Sequence, residues 1–184
     1  RRMGITVLPP DVNESSLYFT PVGKDIRFGM GAVRNVGSNV VTAMVDAREE
    51  KGDFASFPDF FKKVPAVVCN KRTIESMIKA GAFDSLGHAR RALLAIHEEA
   101  VDATVAQKRQ EANNQFDFFS ILEAEGGEAA DAGLGLEVPD MPEWDKKDKL
   151  TFEREMLGLY VSDHPLQGLD GVLAQHADTS ISHV

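Results

Sequence analysis

The sequence has a single cysteine, Cys69, so it can form neither an internal disulfide nor a cysteine-based zinc site. Cys69 stands in the apolar run Ala66-Val67-Val68-Cys69 and reads as a small buried hydrophobe. The five histidines, His88, His97, His164, His176 and His183, lack the paired spacing of metal ligands and read as surface or turn residues. No apolar run reaches the roughly 18 residues of a membrane-crossing helix. No signal peptide is visible, because the first apolar stretch stops at Pro9-Pro10. No initiator methionine precedes Arg1-Arg2-Met3, so the expectation is a soluble cytoplasmic piece of a longer protein. Catalytic signatures are missing too. The chain has no Asp-x-Asp pair to hold two metal ions, no phosphate loop and no Gly-x-Ser-x-Gly elbow.

What is present is enough apolar material for a real core: 43% of 184 residues, sufficient for one domain or one domain with an appendage. The net charge of −9 hides an asymmetry. Residues 1–93 carry 14 basic and 10 acidic side chains, a net of +4, whereas residues 94–184 carry 6 and 19, a net of −13. The first half can face phosphate and the second would be repelled by it, which suggests two different partners.

Along the chain, Ile5 to Leu8 reads as a strand stopped by prolines. Leu17 to Thr20 and Asp25 to Phe28 flank the turn-rich Pro21-Val22-Gly23-Lys24 and suit a β-hairpin. From residue 29 the pattern turns helical. Met30 and Val33 keep helical spacing until Asn35-Val36-Gly37, and Ser38 is placed to cap a second helix carrying Val40, Val41, Met44 and Val45. Ser56-Phe57-Pro58-Asp59 resembles a capping box opening a short helix with Phe57, Phe60 and Phe61, an aromatic group better suited to core than to ligand. Asn70 caps a helix through Lys79 with Ile74, Met77 and Ile78 inward. After a glycine-bounded break a long helix is predicted from His88 to Ala112, with Ala89, Leu93, Ile96 and Ala100 on one stripe. An acidic Glu/Ala/Gly tract through about Glu137 reads as a mobile linker. Helix resumes near Glu143 and stops at Gly158. A last short helix is expected over 166–176 and a strand over 179–184.

Two constellations carry chemistry. The first is helix, Asn35-Val36-Gly37, helix. Such a tight turn needs a residue free to take positive φ, and Gly37 is the expected supplier. The turn exposes backbone N–H groups at the start of the second helix, where the helix dipole favours an anion such as a DNA phosphate. Arg34 adds charge and Ser38 or Asn39 a further donor, while Gly29 and Gly31 would let the two helices approach. A degenerate second copy follows, from the Asn70–Lys79 helix through Gly81 to Gly87 and into the next helix. Lys71, Arg72, Lys79, Arg90 and Arg91 cluster around it. The pattern resembles the helix-hairpin-helix motif of DNA repair and replication proteins. An ordinary αα-hairpin with a glycine cap, its basic residues forming a solvated face, is the competing reading.

The second constellation is Gln115-Phe116-Asp117-Phe118-Phe119. Two terminal hydrophobes suit an apolar pocket, and the Gln115 amide suits a hydrogen bond at a second one. It resembles the bacterial sliding-clamp-binding pentapeptide, with Phe118 where leucine is usual. A segment folded back on the core is the alternative.

Longer blocks are more specific. Gly4 to Asn13, Ile26 to Gly37, Asn70-Lys71-Arg72, Ile78 to Gly87 and Leu157 to Leu166 resemble the bacterial DNA polymerase III α subunits, the C-family replicative polymerases. The resemblance covers nearly the whole chain apart from the acidic linker. It implies a mainly α fold: a tandem helix-hairpin-helix domain over 29–112, preceded by a small β-hairpin segment over 1–28 from the end of the fingers region. The clamp peptide and flexible acidic linker would span 113–142, and a helical connector over 143–184 would lead to an OB-fold outside the chain. The resemblance further implies a DNA-directed DNA polymerase whose catalytic carboxylates and Mg lie in a palm outside this chain, with no cofactor or catalytic residue inside it. The implied partners are duplex DNA, the β sliding clamp and other replicase subunits, in the bacterial cytoplasm or nucleoid and away from membrane. A stand-alone helix-hairpin-helix adaptor would not account for the Pro9-Pro10 and His164-Pro165 blocks. An error-prone paralogue of the same family remains the other rival.

Overall fold

The computed structural model describes the backbone of residues 4–121 and 136–163, and the side chains of 4–112 and 136–163. The predicted tract through 122–135, the turn at His164-Pro165, the helix over 166–176 and the strand over 179–184 lie outside the described residues.

A two-residue turn, Gly23-Lys24, joins β2 (Thr20–Val22) to β3 (Asp25–Arg27), with Gly23 at φ +60°. The two strands pair antiparallel, Pro21 opposite Ile26. β1 (Val7–Leu8) runs parallel to β3 on its other side, which gives the order β1-β3-β2. Pro21 has no N–H to donate, and it sits on the edge strand, where that costs least. A sheet this small needs outside support. Phe19 packs against Phe28 at 4.6 Å, and the Ser15 hydroxyl donates to Phe28 O at 2.8 Å. Asn13 and Phe54 exchange two bonds, of 3.0 and 2.8 Å, while Val12 N–H reaches Ala82 O at 2.9 Å. Residues 11–28 are thus wired into the helical core.

The expected helix from residue 29 is a single 3₁₀ turn, Met30–Ala32. The cause is competition from a neighbouring segment. Met30 and Gly31 donate their N–H groups to Ser16 O and Leu17 O at 2.9 and 3.1 Å. A Cβ on Gly29 would come within 2.6 Å of the Tyr18 backbone, and one on Gly31 within 2.6 Å of the Leu17 side chain. These glycines admit residues 17–19, not a second helix. After the turn, α1 (Ser38–Lys51) buries Val40, Val41, Met44 and Ala47.

α2 (Phe57–Lys63) begins as the sequence predicts, with the Ser56 hydroxyl accepting from Asp59 N–H at 3.2 Å. Phe57, Phe60 and Phe61 are fully buried; Phe57 meets Phe61 and Phe83 edge-on, and Phe60 meets Phe54 and Phe83, all at 4.9–5.1 Å. Burying each ring stabilises the fold by about 1.5–3 kcal/mol, and each edge-on pair adds about 0.5–1.5. α3 (Lys71–Ala80) starts at the Asn70 cap, whose side chain accepts from Thr73 N–H at 3.2 Å. It ends at Gly81, left-handed at φ +83°, with Ala82 N–H folded back to Met77 O at 2.9 Å.

After a 3₁₀ turn at Asp84–Leu86, α4 runs from Arg90 to Ile121, past the predicted end at Ala112. Leu93, Ala100 and Val101 face the core, joined by Thr104. The Thr104 hydroxyl is satisfied by Ala100 O at 2.7 Å. α5 (Lys146–Leu157) is capped by Asp145 and stopped by Gly158 at φ +76°. It packs on α3 and buries Leu150, Met156 and Leu157. Cys69 is buried as expected, and burial pushes its thiol up to about 11.

Candidate nucleic-acid interface

At the first turn the left-handed residue is Asn35, at φ +62°, and not Gly37. Asparagine tolerates this region because its short side chain can bond locally. Here the Asn35 amide donates to Ser76 Oγ at 2.9 Å, and Thr73 Oγ1 donates to Asn35 O at 3.1 Å. The turn is thereby seated on α3, with Val36 as its buried anchor. Gly37 is extended, at φ −78° and ψ 154°, and is itself the N-cap. Ser38, the predicted cap, is the first helical residue. A glycine cap brings no oxygen of its own. Val40 and Val41 N–H both reach Gly37 O at 3.1 Å. The N–H groups of Gly37, Ser38 and Asn39 have no acceptor among the described residues, and all three residues are exposed. Three free donors and the positive end of a 14-residue helix therefore face solvent. Arg34 is exposed beside them, its backbone N–H fixed by Met156 O at 2.9 Å. Arg72 is exposed one residue before Thr73.

The second turn differs. Gly81 takes the left-handed cap, and a Cβ there would come within 2.2 Å of Arg90 Nη2. Arg90 leaves the predicted phosphate-binding set: its side chain is 2% exposed and its donors are engaged inside the protein. Nε and Nη2 fork onto Asp84 at 2.8 and 2.7 Å, Nη1 donates to Lys79 O at 3.3 Å, and Nη2 meets Glu153 at 3.2 Å. Burial alone would lower the guanidinium's pKa, but the bonds and charges of Asp84 and Glu153 outweigh it and raise it. Glu153 is fully buried and also accepts from Val161 and Ser162 N–H at 3.2 and 3.1 Å.

The start of α4 is closed as well. Glu143 takes Arg90 N–H at 3.1 Å, Arg91 N–H at 3.3 Å and Trp144 N–H at 2.9 Å. Burial pushes its carboxyl upward, yet these three donors, with Lys149, hold it below the usual range. Lys71 bonds Asp102 at 2.7 Å, with Glu98 at 3.7 Å, and the Asp102 bond raises its amine. Lys79 pairs with Glu75 at 2.7 Å and lies over the Phe152 ring. Arg91 keeps an exposed side chain.

The predicted residues therefore separate. Arg34, Asn35, Val36, Gly37, Ser38, Asn39 and Arg72 gather at the first turn. Gly81, Arg90 and Lys79 serve the interior or local pairs. Glu143 was missed by sequence reasoning. Glu143 lies 53 residues from the N–H it caps, which no local pattern reveals. Gln115 to Phe119 occupy the last turns of α4 rather than a segment beyond a helix. Among the described residues no His, Cys, Asp or Glu side chains gather as a metal site, and no described helix is long and apolar enough to cross a membrane.

Comparison with known proteins agrees with this geometry. The helix-hairpin-helix motif family matches residues 4–93. DNA polymerase III subunit alpha of Saccharopolyspora erythraea is 55% identical over 184 residues, all of this chain and 15% of the relative. The same subunit of Mycobacterium tuberculosis (strain H37Rv) is 54% identical over 181 residues, 98% of this chain and 15% of the relative. That of Thermus aquaticus is 39% identical over 177 residues, 94% and 13%. The chain spans about 15% of the length of the curated relatives it matches most strongly.

Proposed function

From a chain that belongs to the bacterial DNA polymerase III α family as its helix-hairpin-helix segment, we propose a non-catalytic processivity role: gripping the backbone of duplex DNA without reading sequence and tethering the polymerase to a sliding clamp. The observation that carries the DNA half is the uncapped start of α1, three exposed N–H groups with Arg34 and Arg72 beside them. N–H donors and guanidinium groups suit phosphate oxygens and meet no base edge. The chain serves a DNA-directed DNA polymerase whose metal-binding carboxylates lie elsewhere in the polypeptide, working with other replicase subunits in the bacterial cytoplasm.

Gln115-Phe116-Asp117-Phe118-Phe119 is the clamp ligand. Ordering five backbone residues in a new conformation costs roughly 5–10 kcal/mol. Two buried phenylalanines return about 1.5–3 kcal/mol each, and the Gln115 and backbone bonds about 0.5–1.5 apiece. The margin is thin, so the peptide alone is expected to bind the clamp weakly and to lose binding when a phenylalanine is removed. Tethering nonetheless helps, because it replaces rebinding from solution with a high effective concentration.

Titration of duplex DNA into the chain tests the grip. A log–log salt slope of roughly −2 to −4, equal for unrelated sequences, is expected. Salt-independent or strongly sequence-selective binding would refute it. Titration of a bacterial clamp into wild type and a Phe118→Ala/Phe119→Ala variant tests the tether, with circular dichroism as folding control. Equal affinities would place the clamp contact elsewhere.

A further inference from the structure

Between the start of α3 and the middle of α4 lies a cavity of about 560 Å³, whose rim carries Lys71, Arg72 and Arg109 with Asn70 and Asp102, above a floor that includes Val105. Arg72 and Arg109 are exposed, and among the described residues neither side chain meets a carboxylate. Lys71 is shared between Asp102 at 2.7 Å and Glu98 at 3.7 Å. Two uncommitted guanidinium groups and one ammonium thus converge on an open, water-accessible groove. The groove also has an address. Thr73, next to Arg72, holds Asn35 O at 3.1 Å, so it begins where the first hairpin turn is seated. One DNA strand carries a phosphate about every 3.4 Å of helix axis. A strand held at the start of α1 therefore presents further phosphates to whatever lines its path.

We propose that this groove takes the backbone phosphates adjoining the one bound at α1, with Arg72 and Arg109 as phosphate ligands and Asp102 opposing them by holding Lys71 and repelling the anion. The proposal rests on the reading of the first hairpin as a duplex-binding site. It assigns Arg109, from the helix that leads to the clamp peptide, to the DNA interface. It also makes that interface adjustable, because Lys71 can exchange Asp102 for a phosphate with little movement of the chain.

The test is duplex affinity of the full chain against salt from about 50 to 200 mM, for wild type and four variants. Arg109→Gln is expected to weaken binding roughly three- to tenfold and flatten the slope by about 0.9, and Arg109→Lys to recover most of it. Asp102→Asn is expected to tighten binding and steepen the slope, a gain that misfolding cannot imitate. Lys147→Gln, an equal charge change at an exposed residue of α5, moves neither. A wild-type slope near zero would sink the hairpin reading itself. A wild-type slope in the expected range that Arg109→Gln and Asp102→Asn leave untouched would overturn the groove alone. Inorganic phosphate supplies the last arm. If it binds wild type but not Arg109→Gln, and leaves the duplex affinity of wild type unchanged, the groove is a free-phosphate site and the backbone track is refuted.

Discussion

At the first hairpin the following helix opens on Gly37 with three exposed N–H groups that have no acceptor among the described residues. At the second it opens on Arg90 and Arg91, whose N–H groups already hold the Glu143 carboxylate at 3.1 and 3.3 Å. The supports differ in the same sense. The first turn rests on neutral hydrogen bonds, Asn35 donating to Ser76 and accepting from Thr73, and its arginine is exposed. The second closes over an arginine buried between Asp84 and Glu153. One plan used twice has thus been divided: one copy keeps its helix start open, and the other has filled that end and joins α3, α4 and α5. A repeated motif does not imply a repeated function. Whether a helix start binds phosphate depends on whether the chain has already supplied an anion.

The largest test strikes the closed copy. Arg90→Ala leaves the fully buried Glu153 without its cation, and stability in urea should fall by about 3–5 kcal/mol. Protein that remains folded should keep its DNA salt slope; loss of the slope in folded protein would show that the second copy also meets DNA. Next, Gly37→Asp should make the first copy resemble the second. An aspartate cap would take up the Asn39 N–H and set a negative charge beside the other two, raising stability by a few tenths of a kcal/mol while lowering duplex affinity by on the order of tenfold. Improved stability with unchanged affinity would remove the start of α1 from the interface. Glu143→Ala should do the reverse at α4, costing about 1 kcal/mol of stability with no fall in DNA affinity. A fall would mean that Glu143 supports DNA binding rather than closing a site.

The smallest effect is in pH. The folded Glu143 pKa lies below its ordinary value, so its contribution is fully present above the ordinary glutamate range, about 4.3, and is lost as pH falls through the folded value. The stability gap between wild type and Glu143→Gln should be widest near neutrality and close below about pH 4. A gap that stays constant through that range would mean that the cap does not depend on charge.

Local signals were legible. Ser56 and Asn70 cap where predicted, the Phe57–Phe61 group forms core, and the hairpin turns at Gly23-Lys24. Long-range partners were not. Arg90 lies in a basic cluster of the sequence, yet one of the carboxylates that bury it is 63 residues away. Within Asn35-Val36-Gly37 glycine is the better prior for positive φ, but the Ser76 and Thr73 bonds give that role to asparagine. A substitution such as Gly37→Val therefore meets no left-handed strain. Its nearest obstacle is the Asn39 side chain at 2.8 Å, which can move. Helical spacing at Met30 and Val33 misled because backbone bonds to residues 16 and 17 compete for that segment.

The length of α4 fixes an angle as well as a distance between its two ends. Its 32 residues extend about 48 Å, and Gln115 stands about 37 Å along it from Arg90. Such a rod sets phase. Inserting one residue between Arg109 and Gln115 would turn the peptide by about 100° around the axis and advance it by about 1.5 Å. Seven residues would restore its facing to within about 20° while displacing it by about 10 Å. A short insertion series in α4 therefore separates reach from facing, and on the proposal that Gln115 to Phe119 is a clamp ligand it tests which of the two docking demands.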